Sequence, residues 1–499
     1  MITQALQAIA AGRLPTWVVR QVERKFARLP LKPRTAAAIA PNPGEQVLAD
    51  GATVAVIGGG ISGSAFARRL LMLAAQEGRR LKVNVLSGPT CNYCGGLVTD
   101  LSLVTMRQLY GLDVPPGVKL TELNECIFVN RYGGTVVKID VPLMSMLRTG
   151  KFGIPGLDDA FREQILTGLP DSMHQQLTLM QPSTVVQVSL PSLEPRRPAR
   201  IQYREQGEVH EFEADYLAIA TGLRSLTSPM MKRFLAESGY RPPPMMPASV
   251  TEVDTSSALY SRLDHRMLIV GGVVPNSVVA LISKSPHWVT MTALQKALTI
   301  REIQQVFDHP AVREYIHLPA VEPALRCHTV CAAQVFTRPA RNFYGDGWVV
   351  LGDLTGYGRV LKDGYFAAML QADLAADTIL HRGLSRRAMD RHFLPPLRQF
   401  KVDNLVGMGL FQLNDLLTSR DWFSRLFMRA AQSERAADPY GGYLHAGVRA
   451  ITTAELSYKF VGALFVAGLL DYYLVRPRQL VKSLFGGPRH RVIAPGAAN

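Results

Sequence analysis

The chain has 499 residues, 47% of them hydrophobic, and 55 basic against 40 acidic residues give it a net charge of +15. That length buries a large core and suits two domains, and the apolar content excludes a disordered chain. Five cysteines are too few for a disulfide scaffold; nothing resembles a zinc finger or an RNA-binding aromatic motif, so no nucleic acid is expected, and the positive balance suits an anionic partner or a merely solvated surface.

Residues 1–50 read as a helical, basic extension ending in the linker AAAIAPNPGEQ. Its start, MITQALQAIAAGRLPTW, lacks the basic n-region of a signal peptide, so the expected compartment is the cytoplasm. TVAVIGGG at 53–60 is a β-branched strand running into glycines, SAFARRLLMLAAQEG at 64–78 has helical spacing, and LKVNVLSG at 81–88 is a second buried strand. Together they form a βαβ unit that starts a doubly wound sheet. Short strands with turn signals follow at 183–222 (STVVQVSL, ARIQYREQG, VHEFEADYLAIATG) and again at 266–293 (RMLIVGGVV, SVVALISKS, HWVTMTAL). RNFYGDGWVVLGD at 341–353 is a turn and a buried strand, and DGYFAAMLQADLAADTIL at 363–380 is a helix; beyond about 385 the chain reads as mostly helical. The apolar run Phe460–Val475, with Lys459 on one side and Arg476, Arg478 and Lys482 on the other, is short for a membrane span and holds Asp471. It leaves three readings open: a buried helix, an interfacial helix and a span.

Four motifs carry chemistry. In Gly58-Gly59-Gly60-Ile61-Ser62-Gly63, Gly58 permits the tight turn after the strand, Gly60 lets backbone approach a pyrophosphate, and Gly63 lets helix pack on strand. The helix start then offers free N–H groups and a positive dipole end to phosphates. The acidic residue that commonly follows the second strand is absent; Ser87 or its neighbours stand there. The second motif, GWVVLGDLTGYGRVLKDGYFAAMLQADLAADTI at 347–379, ends a strand in Gly352-Asp353 and restarts a helix near Gly364. The third is ADYLAIATGLRS at 214–225, with Gly222 after a strand, and the fourth is GPTCNYCGGLVTD at 88–100, with Cys94-Gly95-Gly96. Cys91 and Cys94 leave open a packing role, a redox dithiol, or half of a metal site with Cys327 and Cys331, whose spacing is poor for zinc.

Together the stretches Gly58 to Gly96, Asp215 to Gly222 and Trp348 to Leu380 resemble the geranylgeranyl-reductase-like branch of FAD-dependent oxidoreductases, of the aromatic-hydroxylase fold type. The strand run VVALISKSPHWVTMTAL and HPAVREYI resemble the substrate-domain sheet and following helix of that branch. The resemblance covers about two thirds of residues 50–385, and neither the first 50 residues nor the last hundred. It implies an α/β fold: a Rossmann-like FAD-binding domain (51–130, 181–225 and 336–385), an inserted β-sheet substrate domain (131–180 and 226–335) and a helical C-terminal region (386–499).

The resemblance further implies that Gly58, Gly60, Ser62, Gly63, Ser87, Gly95, Gly96, Gly222, Gly352, Asp353 and Gly364 contact FAD. Asp353 would accept a ribityl hydroxyl, and the helix at Gly364 would point its positive end at the pyrimidine edge. Cys94, Tyr357 and Lys362 are the proton-donor candidates. Where the hydroxylases carry Ala-Ala-His after Gly-Asp, this chain has Leu354-Thr355-Gly356, and the halogenase Trp-x-Trp-x-Ile-Pro stretch is missing. Both departures favour reduction of a hydrophobic isoprenoid or quinone-like substrate over a flavin monooxygenase, with a non-catalytic flavin-binding, membrane-docking protein as the third reading. No second Gly-rich βα turn is visible, which leaves the electron donor open between NAD(P)H and a protein. Peripheral contact with an anionic membrane is expected from the basic balance and the apolar run at 460–475.

Overall fold

The computed structural model describes residues 44–88, 94–360, 363–437 and 442–475. Most of the expected N-terminal extension, together with Cys91 and Lys362, lies outside the described residues. Strand β1 (Thr53–Ile57), helix α1 (Ile61–Gln76) and strand β2 (Lys82–Leu86) form the expected βαβ unit, with β1 and β2 parallel from Thr53↔Lys82 to Ile57↔Leu86. Its sequence explains its place. β1 is β-branched and apolar on both faces, as a central parallel strand must be. The first turns of α1 (Ile-Ser-Gly-Ser-Ala) are small enough to lie close against a sheet, and α1 is buried from Ile61 to Leu71.

The next elements are β3 (Leu97–Thr99), α2 (Asp100–Tyr110), β4 (Lys119–Glu122), β5 (Glu125–Asn130), β6 (Gly133–Lys138), β7 (Leu143–Met146), α3 (Leu157–Glu163) and β8 (Leu177–Met180). An antiparallel meander follows in β9 (Thr184–Ser189), β10 (Ala199–Glu205) and β11 (Glu208–Ala214). Then come β12 (Tyr216–Ile219), α4 (Pro229–Ser238), β13 (Met245–Asp254), β14 (Arg266–Gly271), β15 (Val278–Ser285), β16 (Trp288–Leu294), α5 (Ile300–Asp308) and β17 (Cys331–Phe336). The chain returns through β18 (Tyr344–Gly345), β19 (Trp348–Val350) and α6 (Gly364–His381). It ends in α7 (Leu394–Thr418), α8 (Asp421–Ala437), α9 (Tyr443–Thr453) and α10 (Tyr458–Leu470).

Two sheets organise these elements. The first has the order β18-β19-β12-β1-β2-β8, parallel except for the edge strand β18. Ions and hydrogen bonds tie its helices together. Arg69 Nε on α1 meets Asp373 on α6 at 2.6 Å, and Tyr110 Oη on α2 donates to Met369 O at 2.6 Å. The buried Arg68 donates to the carbonyls of Tyr110, Gln164, Ile165 and Thr167. The second sheet has the order β17-β13-β16-β15-β14-β5-β6, antiparallel except where β14 runs parallel to β5. Alternation gives its strands two different faces. Val253, Leu281, Val289 and Met291 pack on Val306 and Phe307 of α5, while Cys126, Val137, Met267 and Ile282 face the opposite way, towards Val448 and Phe465 of the C-terminal helices. A small sheet, β3-β7-β4, whose strands flank β5 and β6 in sequence, contacts β15.

Candidate active site

The glycine turn is built by close approach. A Cβ on Gly63 would fall 1.9 Å from Gly58 O, and Gly58 itself, at φ +109°, lies where a Cβ would meet Ala220 O at 2.4 Å. No side chain caps the helix start: Gly60 precedes α1 without a side-chain hydrogen bond, no acidic residue lies in the first turn, and the nearest carboxylate, Asp158 on α3, has Oδ2 3.4 Å from a Cβ placed on Gly60. The N–H groups of α1 are therefore left for a ligand. Ser87 borders the turn, its Oγ 2.8 Å from a Cβ placed on Gly59. Arg162 on α3 donates to Gly59 O at 3.1 Å, which brings a cation beside the same turn. Gly222 (φ +72°) opens a short turn after β12, two residues beyond Ala220.

The second glycine motif meets the first. A Cβ on Gly352 would fall 2.4 Å from Ser62 Oγ, so the turn after β19 touches the start of α1. Gln371 on α6 fixes that turn by accepting from Gly352 N at 2.8 Å and donating to Tyr357 O at 2.6 Å. Asp353 lies beside the start of α6, its Oδ1 3.9 Å from a Cβ placed on Gly364. Asp363, in the left-handed region at φ +67°, precedes α6 without capping it; its carboxylate accepts from Thr99 Oγ1 and from Ser102 Oγ (3.1 Å). Like α1, α6 presents an N-terminus with no side-chain cap and no acid in its first turn.

Charged and polar side chains converge between the two large sheets. Arg148 reaches Asp158 Oδ2 at 3.3 Å and Asp353 Oδ2 at 3.4 Å. Burial opposes its charge, but Asp158 and Asp353 more than offset this and hold the guanidinium firmly protonated. Cys94 Sγ accepts from Gly96 N at 3.3 Å and lies 4.0 Å from Tyr365 Oη. Burial, then the neighbouring Cys94, pushes the Tyr365 phenol well above its ordinary range.

A Cβ on Gly96 would strike Met146 O at 1.8 Å, and Gly95 lies against Ile282 of the second sheet. Lys284, 1% exposed, donates from Nζ to Gly95 O (2.8 Å) and Met146 O (2.9 Å). Burial pulls its pKa down to about 8, with Glu252 and Cys94 acting in the opposite direction. Glu252 accepts from Trp288 Nε1 (2.8 Å), Thr290 Oγ1 (2.6 Å) and Lys151 Nζ (2.5 Å).

The sequence motifs assign Gly58, Gly60, Ser62, Gly63, Ser87, Gly222, Gly352, Asp353 and Gly364 to the surroundings of two helix starts, and the fold brings those starts together. Cys94, Gly95 and Gly96 lie at the junction with the second sheet. Tyr357 is a core residue, its ring 5.3 Å from that of Phe343. Arg148, Asp158, Arg162, Lys284 and Glu252 belong to none of the four motifs, and Tyr365 lies in the second without being singled out there. Lys284 does leave a signal, as the one charge in the otherwise uncharged run VVALISKSPHWVTMTAL. The pairing of β15 with β16 shifts by one residue there, between Ser283 and Ser285, and such a bulge re-aims a side chain.

No family model matches the sequence, and no characterised protein matches it in sequence. Among solved structures, a geranylgeranyl bacteriochlorophyll reductase-like protein from Thermoplasma acidophilum aligns with a TM-score of 0.55 at 12% identity, over 87% of this chain and 99% of that one. A flavoprotein/dehydrogenase from Cytophaga hutchinsonii aligns with a TM-score of 0.54 at 13% identity, over 87% of this chain and 100% of the other. A p-nitrophenol 4-monooxygenase from Pseudomonas putida aligns at 0.49 and 14% identity, over 84% and 98%. At these identities it is the architecture that is shared: the chain has the Rossmann-like α/β fold of the reductase-like protein and of the flavoprotein/dehydrogenase.

Proposed function

We propose that the protein is an FAD-dependent oxidoreductase that reduces a hydrophobic, isoprenoid- or quinone-like substrate. The observation that carries the reading is the contact between Ser62 and Gly352, which joins two helix starts, each without a side-chain cap or an acid in its first turn. That pair suits a ligand with a pyrophosphate at one end and an electron-accepting ring at the other. Gly58–Gly63 and the start of α1 would hold the pyrophosphate with Arg162 alongside, and Asp353 the ribityl chain. The stretch Cys94–Gly96 and the start of α6 would flank the ring. When bound, FAD supplies the electron transfer itself.

The chain's own residues bind, orient and supply protons. Arg148 fixes Asp158 and Asp353, so the carboxylate beside Gly364 keeps its direction. Lys284 carries a labile proton on Nζ, held between two carbonyls next to Cys94. Cys94 and Tyr365 are the other proton-bearing groups at the junction, and Ile282 and Thr292 give it an apolar wall beside Gly95. A proton donor at this junction would complete the addition of hydrogen across a C=C bond.

Extraction of the purified protein tests the cofactor: it should be yellow and release FAD, not FMN, on denaturation. NAD alone, or no nucleotide after reconstitution, would overturn the reading. Reduced protein should then oxidise anaerobically when an isoprenoid or quinone is added. Oxygen uptake that depends on that substrate would instead identify a monooxygenase.

A further inference from the structure

Helices α7 and α10 pack together through close approaches at Gly407 on Tyr458 and Gly462 on Leu410. Away from that contact each carries an apolar stripe that nothing in the described residues covers. On α7 it comprises Val402, Leu405, Leu413 and Leu416, with Leu405 75% exposed, and on α10 Val466 and Leu470. The spacing, with the exposed Gly409 and Ala463 between, keeps each stripe on one side of its helix over about 20 Å of α7. Trp422 is exposed at the start of α8.

The exposed charges on the two helices, and Arg420 just beyond α7, have one sign. Arg398, Lys401 and Arg420 flank the stripe of α7, and Lys459 begins that of α10; all four are exposed. No acidic residue is exposed on either helix: Asp403 is buried and paired with Arg359, and Asp415 accepts from Gln295. Of the acids just beyond the two helices, Asp421 is exposed and engaged by Arg131, and Asp471, which follows Leu470, is half-buried. The sequence outside the described residues has the same balance at both ends. Residues 1–43 contain seven basic residues and one acidic, and residues 476–499 five basic and none acidic.

We infer that the α7–α10 face docks on an anionic lipid bilayer, its leucine and valine side chains entering the interfacial region and its arginines and lysines lying at the headgroups. This is attachment to one leaflet; no helix among the described residues is long and apolar enough to cross a membrane. The docked face is also joined to the site. Between Val402 and Leu405, Asp403 pairs with Arg359, and Asn404 accepts from Val360 N (3.1 Å) and donates to Gly358 O (2.6 Å). The helix that meets lipid therefore holds the loop running from Asp353 towards α6. The inference stands whether or not the flavin reading does.

Vesicle flotation of the full chain tests it, with vesicles of phosphatidylglycerol and phosphatidylcholine against phosphatidylcholine alone. The protein should float with the anionic vesicles at low salt and less so at high salt. The combined variant Leu405→Gln, Leu416→Gln, Val466→Gln and Leu470→Gln should bind at least about tenfold more weakly, with an unchanged circular dichroism spectrum and melting temperature. Three outcomes would overturn the inference: no flotation at low salt, equal flotation of the variant (binding by the basic termini alone), or a dimer that the four substitutions convert to monomer (a second copy on the face). Should the fourfold variant fail to fold, the pair Leu405→Gln and Leu416→Gln gives the same reading.

Discussion

A lysine at 1% exposure, bonded only to carbonyls, is under strain as a cation, and Lys284 answers by holding its proton less tightly than an exposed lysine does. Its folded pKa of about 8 lies below the ordinary 10.5, so the unfolded chain binds more protons between those values. Stability assignable to this group is therefore lowest below pH 8 and rises with pH above it, by on the order of 2–4 kcal/mol in all. The buried phenols of Tyr110 and Tyr365 are pushed upward and act in the opposite sense, but only above about pH 10. Urea unfolding between pH 7.5 and 9.5 should thus show stability increasing with pH, and Lys284→Met should flatten that increase. A slope that survives in the variant would place the titration elsewhere. On the proposed function, Asp353 makes a different kind of contribution, through the cofactor. Asp353→Ala removes a charged hydrogen-bond acceptor worth roughly 1.5–3 kcal/mol, so the FAD dissociation constant should rise about 10–150-fold. Arg148 keeps Asp158 as its partner, so the cofactor-free protein should melt as before.

At the scale of elements, two glycines of α7 show what its two sides do. Gly407 lies under the Tyr458 ring, where an added Cβ would fall 2.6 Å from the nearest ring atom, whereas nothing comes within 4 Å of a Cβ on the exposed Gly409. Gly409→Ala should stabilise the protein by about 0.5–1 kcal/mol through helix propensity. Gly407→Ala should destabilise it by about 1–3 kcal/mol by prising α10 away; equal effects in thermal unfolding would contradict this packing. How far such elements are legible in sequence depends on how local their chemistry is. The units β1-turn-α1-β2 and β19-turn-α6 announce themselves because their turns need glycine at fixed offsets, and β14 to β16 because they are short apolar, β-branched runs bounded by turn residues. The short strands β3, β4 and β7 have no such pattern. Arg148 and Arg162 acquire their roles only when α3 folds back onto α1, and Lys284 when a one-residue bulge turns it towards Gly95. The run at 460–475 is legible as apolar, and it is half-buried, with Tyr458, Val461 and Gly468 inward and Val466 and Leu470 outward.

At the scale of the whole molecule, the two helix starts that meet at Ser62 and Gly352 are far apart in the chain. α1 ends at Gln76 and α6 begins at Gly364. Both helices are buried almost throughout, and each is a wall of the other's environment. Synthesis runs in one direction, at about 5–20 residues per second, so α1 leaves the ribosome roughly 15–60 s before its covering helix exists. Through that interval an apolar helix and the parallel strands beneath it stand open, in a topology whose closing contacts are long in sequence and slow to form. A chain that stalls or is cut anywhere before residue 364 keeps the glycine turn but loses the second helix start, and so has half a cradle. On the proposed function, loading of FAD is thus tied to completion of α6, and a bound cofactor would report that the chain had been finished as well as folded.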